Sequence, residues 1–248
     1  MAGKHFDSAP DRRKPVPMPI DEQHRPAWPV QREIPALAEG EVQVWLISCP
    51  EEDVPAEALT VQDRERYAHF GHPGSRRRYA WSRKVLRELI FGHTGCAPED
   101  QVLAFGKHEK PYLPGSDIQF NLSHSGAYIL IAVGREIHGV DIERMERRLN
   151  LEGLAGRYFS PAEYAWWEAQ GKARQAFFKV WTHKESYLKA TGQGISLELA
   201  GVDRSPWLDR RGRDEELQSF CLEAPGAYEA AITCSRMVRT IRTFTWAH

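Results

Sequence analysis

The chain has 248 residues, with 33 Lys and Arg against 34 Asp and Glu, so its formal charge is −1. This balance argues against a general nucleic-acid-binding protein, which usually carries a net basic charge. The four cysteines lie far apart and lack zinc-ligand spacing, which favours free thiols in a reducing cytoplasm over a zinc site or a disulfide framework. No segment has the apolar length of a membrane span or a signal peptide, so we expect a cytoplasmic protein without membrane contact.

Residues 1–40 form a proline-rich segment that holds seven of the sixteen prolines. Proline lacks the backbone N–H that helices and sheets need, so we expect an extended or flexible arm here. A second possibility is that the arm wraps over the domain surface, with Trp28 and Val30 as anchors. The ordered domain should begin with the alternating strand at residues 41–47.

Four helices are predicted from their start and stop signals, which are N-capping residues, early prolines and terminal glycines. The second is expected to have one apolar side and an otherwise arginine-rich surface. The predicted positions are a helix start at residues 60–63 with Thr60 as N-cap, a helix from Ser75 to Phe91 ended by Gly92, a helix start at Ser160-Pro-Ala-Glu163, and a helix over residues 173–190 ended by Gly192.

Short alternating segments predict strands in both halves of the chain, which indicates an α+β fold of two similar halves packed together. We expect a proline-rich arm at residues 1–40, an N-terminal α+β half at residues 41–133 and a C-terminal α+β half at residues 134–248. The predicted strands after the first cover residues 102–106, 118–124, 128–133, 139–143, 217–222, 228–234 and 240–246.

The segment Gly139-Val-Asp-Ile-Glu143 predicts two carboxylates on one strand face, because side chains alternate along a strand. Asp141 and Glu143 would point to one side while the apolar residues beside them enter the core. Such hard oxygen ligands suit Mg²⁺, which completes its shell with phosphate and water. The alternative is a solvated strand face on which Arg144 or Arg147 balances the two acids.

The segment Phe177–Lys189 predicts a helix with one buried apolar stripe. Glu185 and Lys189 lie four residues apart beside that stripe, and the plain alternative for them is a surface ion pair of small energy. Lys184 falls within the stripe, where an ammonium without a partner is costly. It therefore needs an anionic partner, either a protein carboxylate or a ligand phosphate.

The segment Phe120-Asn-Leu-Ser-His-Ser-Gly126 predicts a strand end with a polar cluster. Ser123 and His124 are candidate hydrogen-bond donors to a phosphate, and structural polar residues at a turn are the alternative. A nucleophilic Ser-His pair is not favoured, because neighbours on a strand point apart and no G-x-S-x-G motif is present.

Together, FNLSHSG, GVDIE and FFKVWTHKESYLKATGQG, between Phe120 and Gly194, resemble the signature of the Sfp-like 4′-phosphopantetheinyl transferases. The resemblance implies a monomeric enzyme with two α/β halves packed as a pseudo-dimer. It also implies Mg²⁺-dependent transfer of the pantetheine arm of coenzyme A to a serine of an acyl or peptidyl carrier protein, with 3′,5′-ADP as the leaving product.

The resemblance also implies roles for individual residues. Asp141, Glu143 and Glu185 would hold Mg²⁺ against the coenzyme A pyrophosphate, and Glu185 would accept the proton of the attacking serine. Lys189 and His124 would bind phosphate oxygens, with Lys189 also offsetting charge on the leaving group.

Other residues are expected to bind coenzyme A. Lys110-Pro111 matches the end of the family's G-K-P segment, but Glu109 precedes it and a Gly-Lys pair occurs earlier, so either lysine is a candidate. The additional coenzyme A candidates are Arg83, Lys107, Lys110, Ser123 and Lys184.

Two alternatives have a different chemistry. A non-catalytic coenzyme A or nucleotide-binding module would have no need for Glu185. A metal-dependent phosphohydrolase would need a further His/Asp cluster, of which the sequence gives no sign.

Overall fold

The computed structural model describes residues 28–106, 110–146, 148–193, 197–208 and 216–247. Helices and strands occur throughout, which makes this a mixed α+β fold. Within these residues no helix combines the length and apolarity needed to cross a membrane. The elements are β1 (Val30–Gln31), β2 (Glu41–Ser48), α1 (Val61–Tyr67), α2 (Pro73–Thr94), β3 (Ala104–Phe105), β4 (Pro111–Tyr112), β5 (Gln119–Ser125), β6 (Tyr128–Gly134), β7 (His138–Arg144), α3 (Leu151–Tyr158), α4 (Pro161–Ala169), α5 (Arg174–Thr191), α6 (Ser205–Leu208), β8 (Leu217–Leu222), β9 (Tyr228–Ser235) and β10 (Thr240–Trp246).

Two main sheets organise the molecule, one in the order β1-β10-β2-β6-β5 and one in the order β7-β9-β8. Strand β2, helix α2 and strands β5 and β6 come in this order along the chain, with α1, β3 and β4 between them, and the strands pair antiparallel in the order β2-β6-β5. Strand β7, helix α5 and strands β8 and β9 also come in this order, and these strands pair antiparallel in the order β7-β9-β8. The last strand, β10, lies parallel to β2 in the first sheet.

The first sheet is buried on both faces, which explains why nearly every residue of β2 is inaccessible. On one face, Trp45 and Ile47 of β2 pack with Leu86 and Leu89 of α2. On the other face, alternate residues of β2 and β6 pack against Val140 and Ile142 of β7 and against β9. The site-bearing strand β7 is therefore fixed between the first sheet and helix α5, which covers the second sheet.

Local capping signals predicted several helix ends correctly. Thr60 caps α1, Ser160 and Glu163 form the capping box of α4, and Gly192 ends α5 in a left-handed conformation. The predicted end of α2 at Gly92 is wrong, because α2 continues to Thr94 and ends at Gly95, with φ 72°.

Gly92 instead makes room for a neighbouring segment inside α2. A Cβ at this position would lie 2.6 Å from Cδ1 of Ile34. The predicted strand at residues 102–106 is also shorter than expected and is limited to β3, whereas β8 and β10 agree with their predicted bounds.

The described part of the proline-rich segment lies on the first sheet. The Trp28 indole Nε1 donates to the Glu223 carbonyl at 2.6 Å, and β1 pairs in parallel with the end of β10. The Trp28 anchor is therefore present, whereas the Val30 side chain is largely exposed. Residues 1–27 lie outside the described residues.

Candidate active site

Strand β7 presents Asp141 and Glu143 on the side opposite the core, as the alternation predicted. Val140 and Ile142 are buried in the apolar contact with the first sheet. The side chain of Asp141 is buried as well, with only 4% exposed. Asp141 is thus not on a solvated strand face and Glu143 is half-buried, while Arg144 directs its guanidinium to Glu146. Arg147, the other arginine proposed to balance these acids, lies outside the described residues.

Ser123, Asp141 and Lys189 form one polar triangle. The Ser123 hydroxyl donates to Oδ1 of Asp141 at 2.7 Å, and the Lys189 ammonium donates to that same oxygen at 2.7 Å. Lys189 also donates to Ser123 Oγ at 2.8 Å. Lys189 is therefore a cation paired with Asp141 of β7, and not the partner of Glu185 in an exposed helix ion pair.

Helix α5 lies directly on the backbone of β7 because Gly139 has no side chain. A Cβ at Gly139 would overlap backbone atoms of Ser186, Lys189 and Ala190. This close packing brings Glu185 to the two β7 acids. Burial, together with the carboxylates of Asp141 and Glu143 and against the opposing effect of Lys189, raises the pKa of Glu185 to about 7.

Two carboxylate oxygens at this site lack hydrogen-bond partners among the described residues. They are Oδ2 of Asp141 and Oε1 of Glu185, both shielded from solvent. A buried anionic oxygen without a donor is costly, and a divalent cation would satisfy it. Glu143 supplies a third carboxylate, so the donor set consists of the hard oxygen ligands that Mg²⁺ prefers.

The described residues nevertheless contain no group of three or more His, Cys, Asp or Glu side chains arranged as a ready-made metal cage. The ion pair between Lys189 and Asp141 accounts for one oxygen of the set, and mutual repulsion disfavours tighter assembly of three acids. The residues fit Mg²⁺ by their chemistry, while their side chains are not preassembled around it.

His124 lies on the face of β5 opposite Ser123. Its side chain reaches solvent, yet the surrounding protein lowers its pKa, mainly through burial and then through Arg78 and Lys189. The lowered pKa favours the neutral imidazole, which can still donate an N–H bond to a phosphate. The effects of Arg78, Lys189 and Asp141 on this pKa also indicate that these charges lie around His124.

Arg78 is the α2 arginine whose charge lowers the pKa of His124, whereas the predicted contact of Arg83 with coenzyme A stays a prediction. Arg83 is buried against α1, with its Nε 3.8 Å from Oδ1 of Asp63 and its guanidinium over the Tyr79 ring. Several arginines lie close together in α2, and the sequence alone does not show which of them point toward β5 and which toward α1.

Two cavities lie on either side of Asp63, where α1 meets α2. The smaller, of about 140 Å³, includes Arg83 in its lining. The larger measures about 420 Å³ and is lined by Gln62, Asp63, Glu65, Arg66, His69, Tyr79 and Phe105.

Lys110 lies at the C-terminus of α5. Its ammonium donates to the carbonyl of Lys189 at 2.9 Å and to that of Ala190 at 3.3 Å, so two of its three donors stabilise a helix end. Burial lowers the pKa of Lys110. The alternative lysine of the G-K-P segment, Lys107, lies outside the described residues.

The predicted role of Lys184 at coenzyme A is corrected by its surroundings. Its fully buried ammonium donates to Glu163 at 2.6 Å and to the Val202 carbonyl, so the required anion is a protein carboxylate. The same Glu163 also accepts from the backbone N–H groups of Ser160 and Arg204. Lys184 therefore ties α5 to α4, and its side chain is completely buried beside these partners.

Comparison with known proteins adds an independent observation. Residues 138–233 match the 4′-phosphopantetheinyl transferase superfamily. The 4′-phosphopantetheinyl transferase HetI of Nostoc sp. is 37% identical over 186 residues, which cover 68% of this chain and 78% of HetI. This chain belongs to the 4′-phosphopantetheinyl transferase family.

Two further transferases of the family show a comparable similarity. A 4′-phosphopantetheinyl transferase of Bacillus subtilis is 33% identical over 156 residues, or 62% of this chain and 69% of the relative. AcpT of Salmonella typhi is 38% identical over 135 residues, or 53% of this chain and 67% of AcpT. The superfamily match includes Asp141, Glu143, Glu185 and Lys189, whereas Arg78 and the polar residues of β5 precede it.

Proposed function

We propose that this chain transfers the 4′-phosphopantetheine group of coenzyme A to a serine of an acyl or peptidyl carrier protein and releases 3′,5′-ADP. The observation that carries the proposal is the cluster of Asp141, Glu143 and Glu185 beside Lys189, where two buried carboxylate oxygens lack partners. A cluster of this composition suits the pyrophosphate of coenzyme A together with a divalent cation.

The proposed step is an in-line displacement at the phosphorus atom that bears pantetheine. The serine oxygen forms a new bond to this phosphorus, and the bond from phosphorus to the bridging oxygen of 3′,5′-ADP breaks. Glu185 takes the serine proton. Its pKa of about 7 is suited to a general base that works near neutral pH.

The residues around Glu185 have distinct proposed roles. Asp141, Glu143 and Glu185 would hold Mg²⁺, which when bound neutralises negative charge on the pyrophosphate. Lys189 adds positive charge on the leaving-group side. His124 donates an N–H bond to a phosphate oxygen.

The adenosine end of coenzyme A is proposed to bind where α1 meets α2. The 420 Å³ cavity offers the Tyr79 and Phe105 rings for the base and the Arg66 guanidinium for a phosphate. Arg78 is proposed to bind the pyrophosphate between this cavity and His124. Arg83 would stabilise the wall of this cavity by its contacts with Asp63 and with the Tyr79 ring.

We also propose that residues 41–133 and 134–248 form a pseudo-dimer that acts as a monomer. Strands β2, β6 and β5 pair in the same order as β7, β9 and β8, which supports this division, and β10 of the second half is added to the first sheet. The proposed catalytic residues all lie on one chain, so no second copy is needed. None of the four cysteines is in a disulfide, which fits a reducing compartment such as the cytoplasm.

Intact-protein mass spectrometry tests the proposed transfer. An apo carrier protein incubated with this chain, coenzyme A and Mg²⁺ should gain one phosphopantetheinyl group, and the gain should disappear with EDTA or when the acceptor serine is replaced by alanine. Acyl and peptidyl carriers should both be tried. Binding of coenzyme A without any mass gain on either carrier would indicate a non-catalytic binding module and contradict the proposal.

A further inference from the structure

Strands β5 and β7 belong to different sheets, yet they are joined by a ladder of side-chain hydrogen bonds. The N–H of Ile142 donates to Ser123 Oγ at 3.3 Å, and the N–H of Arg144 donates to Ser125 Oγ at 3.0 Å. Two residues earlier on both strands, Oδ1 of Asn121 accepts from the N–H of Val140 at 2.9 Å. Each contact spans the same 19 residues of sequence, so one register is fixed along the junction.

The two serines of this ladder make a second bond that Asn121 does not make. Ser123 donates to Oδ1 of Asp141 at 2.7 Å, and Ser125 donates to Oε2 of Glu143 at 2.8 Å. A serine hydroxyl has one proton, and in both residues a carboxylate accepts it. In this arrangement the Ser123 proton is donated to Asp141, and the predicted bond from Ser123 to a phosphate stays a prediction.

The geometry points to Ser123 and Ser125 as positioning residues for the proposed Mg²⁺ site, each orienting one β7 carboxylate. This inference rests on the proposed function. Each serine hydroxyl accepts a hydrogen bond from a backbone N–H of β7. It donates its own proton to the carboxylate of the residue just before that N–H, which is Asp141 for Ser123 and Glu143 for Ser125. For Asp141 this leaves Oδ2 as the buried oxygen without a hydrogen bond among the described residues.

The partners of metal ligands have measurable effects on affinity. Loss of a group that orients a ligand commonly weakens metal binding about tenfold to a hundredfold. Ser123→Ala and Ser125→Ala should each raise the Kd of Mg²⁺ by a factor in this range when the metal is titrated calorimetrically in the presence of coenzyme A. Saturating Mg²⁺ should restore most of the transfer rate.

Asn121→Ala is the matched control, because Asn121 is in the same ladder and is equally buried but contacts neither acid. It should lower the thermal stability as the serine variants do while leaving the Kd of Mg²⁺ within about twofold of the wild-type value. Circular dichroism would establish that each variant is folded. If one serine variant fails to fold, the other provides the same test.

The possible results separate this inference from the proposed function. Wild-type chain that neither binds Mg²⁺ nor transfers would overturn the proposed function itself. If the wild-type chain binds Mg²⁺ and transfers, but the serine variants have the same Kd for Mg²⁺ as wild type, the positioning role is overturned and the ladder is only a structural link. Equal weakening by Asn121→Ala would also overturn the positioning role, because loss of any ladder contact would then suffice.

Discussion

At the scale of single residues, two neighbours on α5 show how burial separates roles. Lys184 and Glu185 are both buried, but Lys184 meets the carboxylate of Glu163 whereas Glu185 faces two further acids. The first arrangement is a satisfied internal ion pair. The second brings three acids together beside the single charge of Lys189, which destabilises the fold when no metal ion is bound. Such an arrangement is a common feature of functional sites.

The raised pKa of Glu185 predicts how stability depends on pH without metal. The folded pKa of about 7 lies above the ordinary value of 4.5, so this carboxyl favours folding less and less as pH rises between these values. Glu185→Gln removes that dependence. In EDTA, the free energy of unfolding of Glu185→Gln should equal that of wild type at pH 4. Above pH 7 it should exceed the wild-type value by up to about 3 kcal/mol.

Chemical denaturation at pH 4 and pH 8 measures both values. Acids remote from Glu185 are present in wild type and variant alike, so their effects cancel in the difference, whereas the repulsion of Glu185 by Asp141 and Glu143 is part of what the difference measures. A variant that is no more stable than wild type at pH 8 would show that the Glu185 carboxylate is not strained by its neighbours.

At the scale of elements, the site depends on the contact between α5 and β7. Gly139 permits this contact, since any side chain there would meet the α5 backbone, which cannot move as a flexible side chain does. The glycine in Gly139-Val-Asp-Ile-Glu143 is therefore as important to the site as its acids. Sequence inspection singled out only the acids, because the helix that meets Gly139 begins 35 residues later.

Gly139→Ala should separate α5 from β7 and disturb Glu185 and Lys189 relative to Asp141. We expect a lower melting temperature and loss of most transfer activity, measured by thermal unfolding and by carrier mass gain. Gly156→Ala in α3 is the matched control, because a Cβ there has open space and alanine favours helices. Unchanged stability and transfer in Gly139→Ala would mean that the two elements have room to adjust.

At the scale of the whole molecule, local signals predicted elements well and tertiary partners poorly. Thr60 and the Ser160–Glu163 capping box act within one helical turn, so a short stretch of sequence contains both partners. The end of α2 was missed because Ile34, far away in sequence, occupies the space that Gly92 leaves.

The same reasoning applies to the candidate site. Strand alternation placed Asp141 and Glu143 correctly, and it would also have placed Ser125 beside Ser123 on one face of β5. The Lys184–Glu163 pair, the direction of Arg78 and the position of β10 beside β2 depend on contacts between distant segments. A single sequence contains no direct signal for them.

The central claim is that Asp141, Glu143 and Glu185 bind one divalent cation for transfer from coenzyme A. Electron paramagnetic resonance with Mn²⁺ in place of Mg²⁺ tests it directly, because bound and free Mn²⁺ give different signals. Wild-type chain with coenzyme A should bind one Mn²⁺, and Asp141→Asn, Glu143→Gln and Glu185→Gln should each weaken binding at least about tenfold. Asp117→Asn, which changes an exposed acid paired with Arg135, should not. Equal Mn²⁺ binding by wild type and all three site variants would contradict the account.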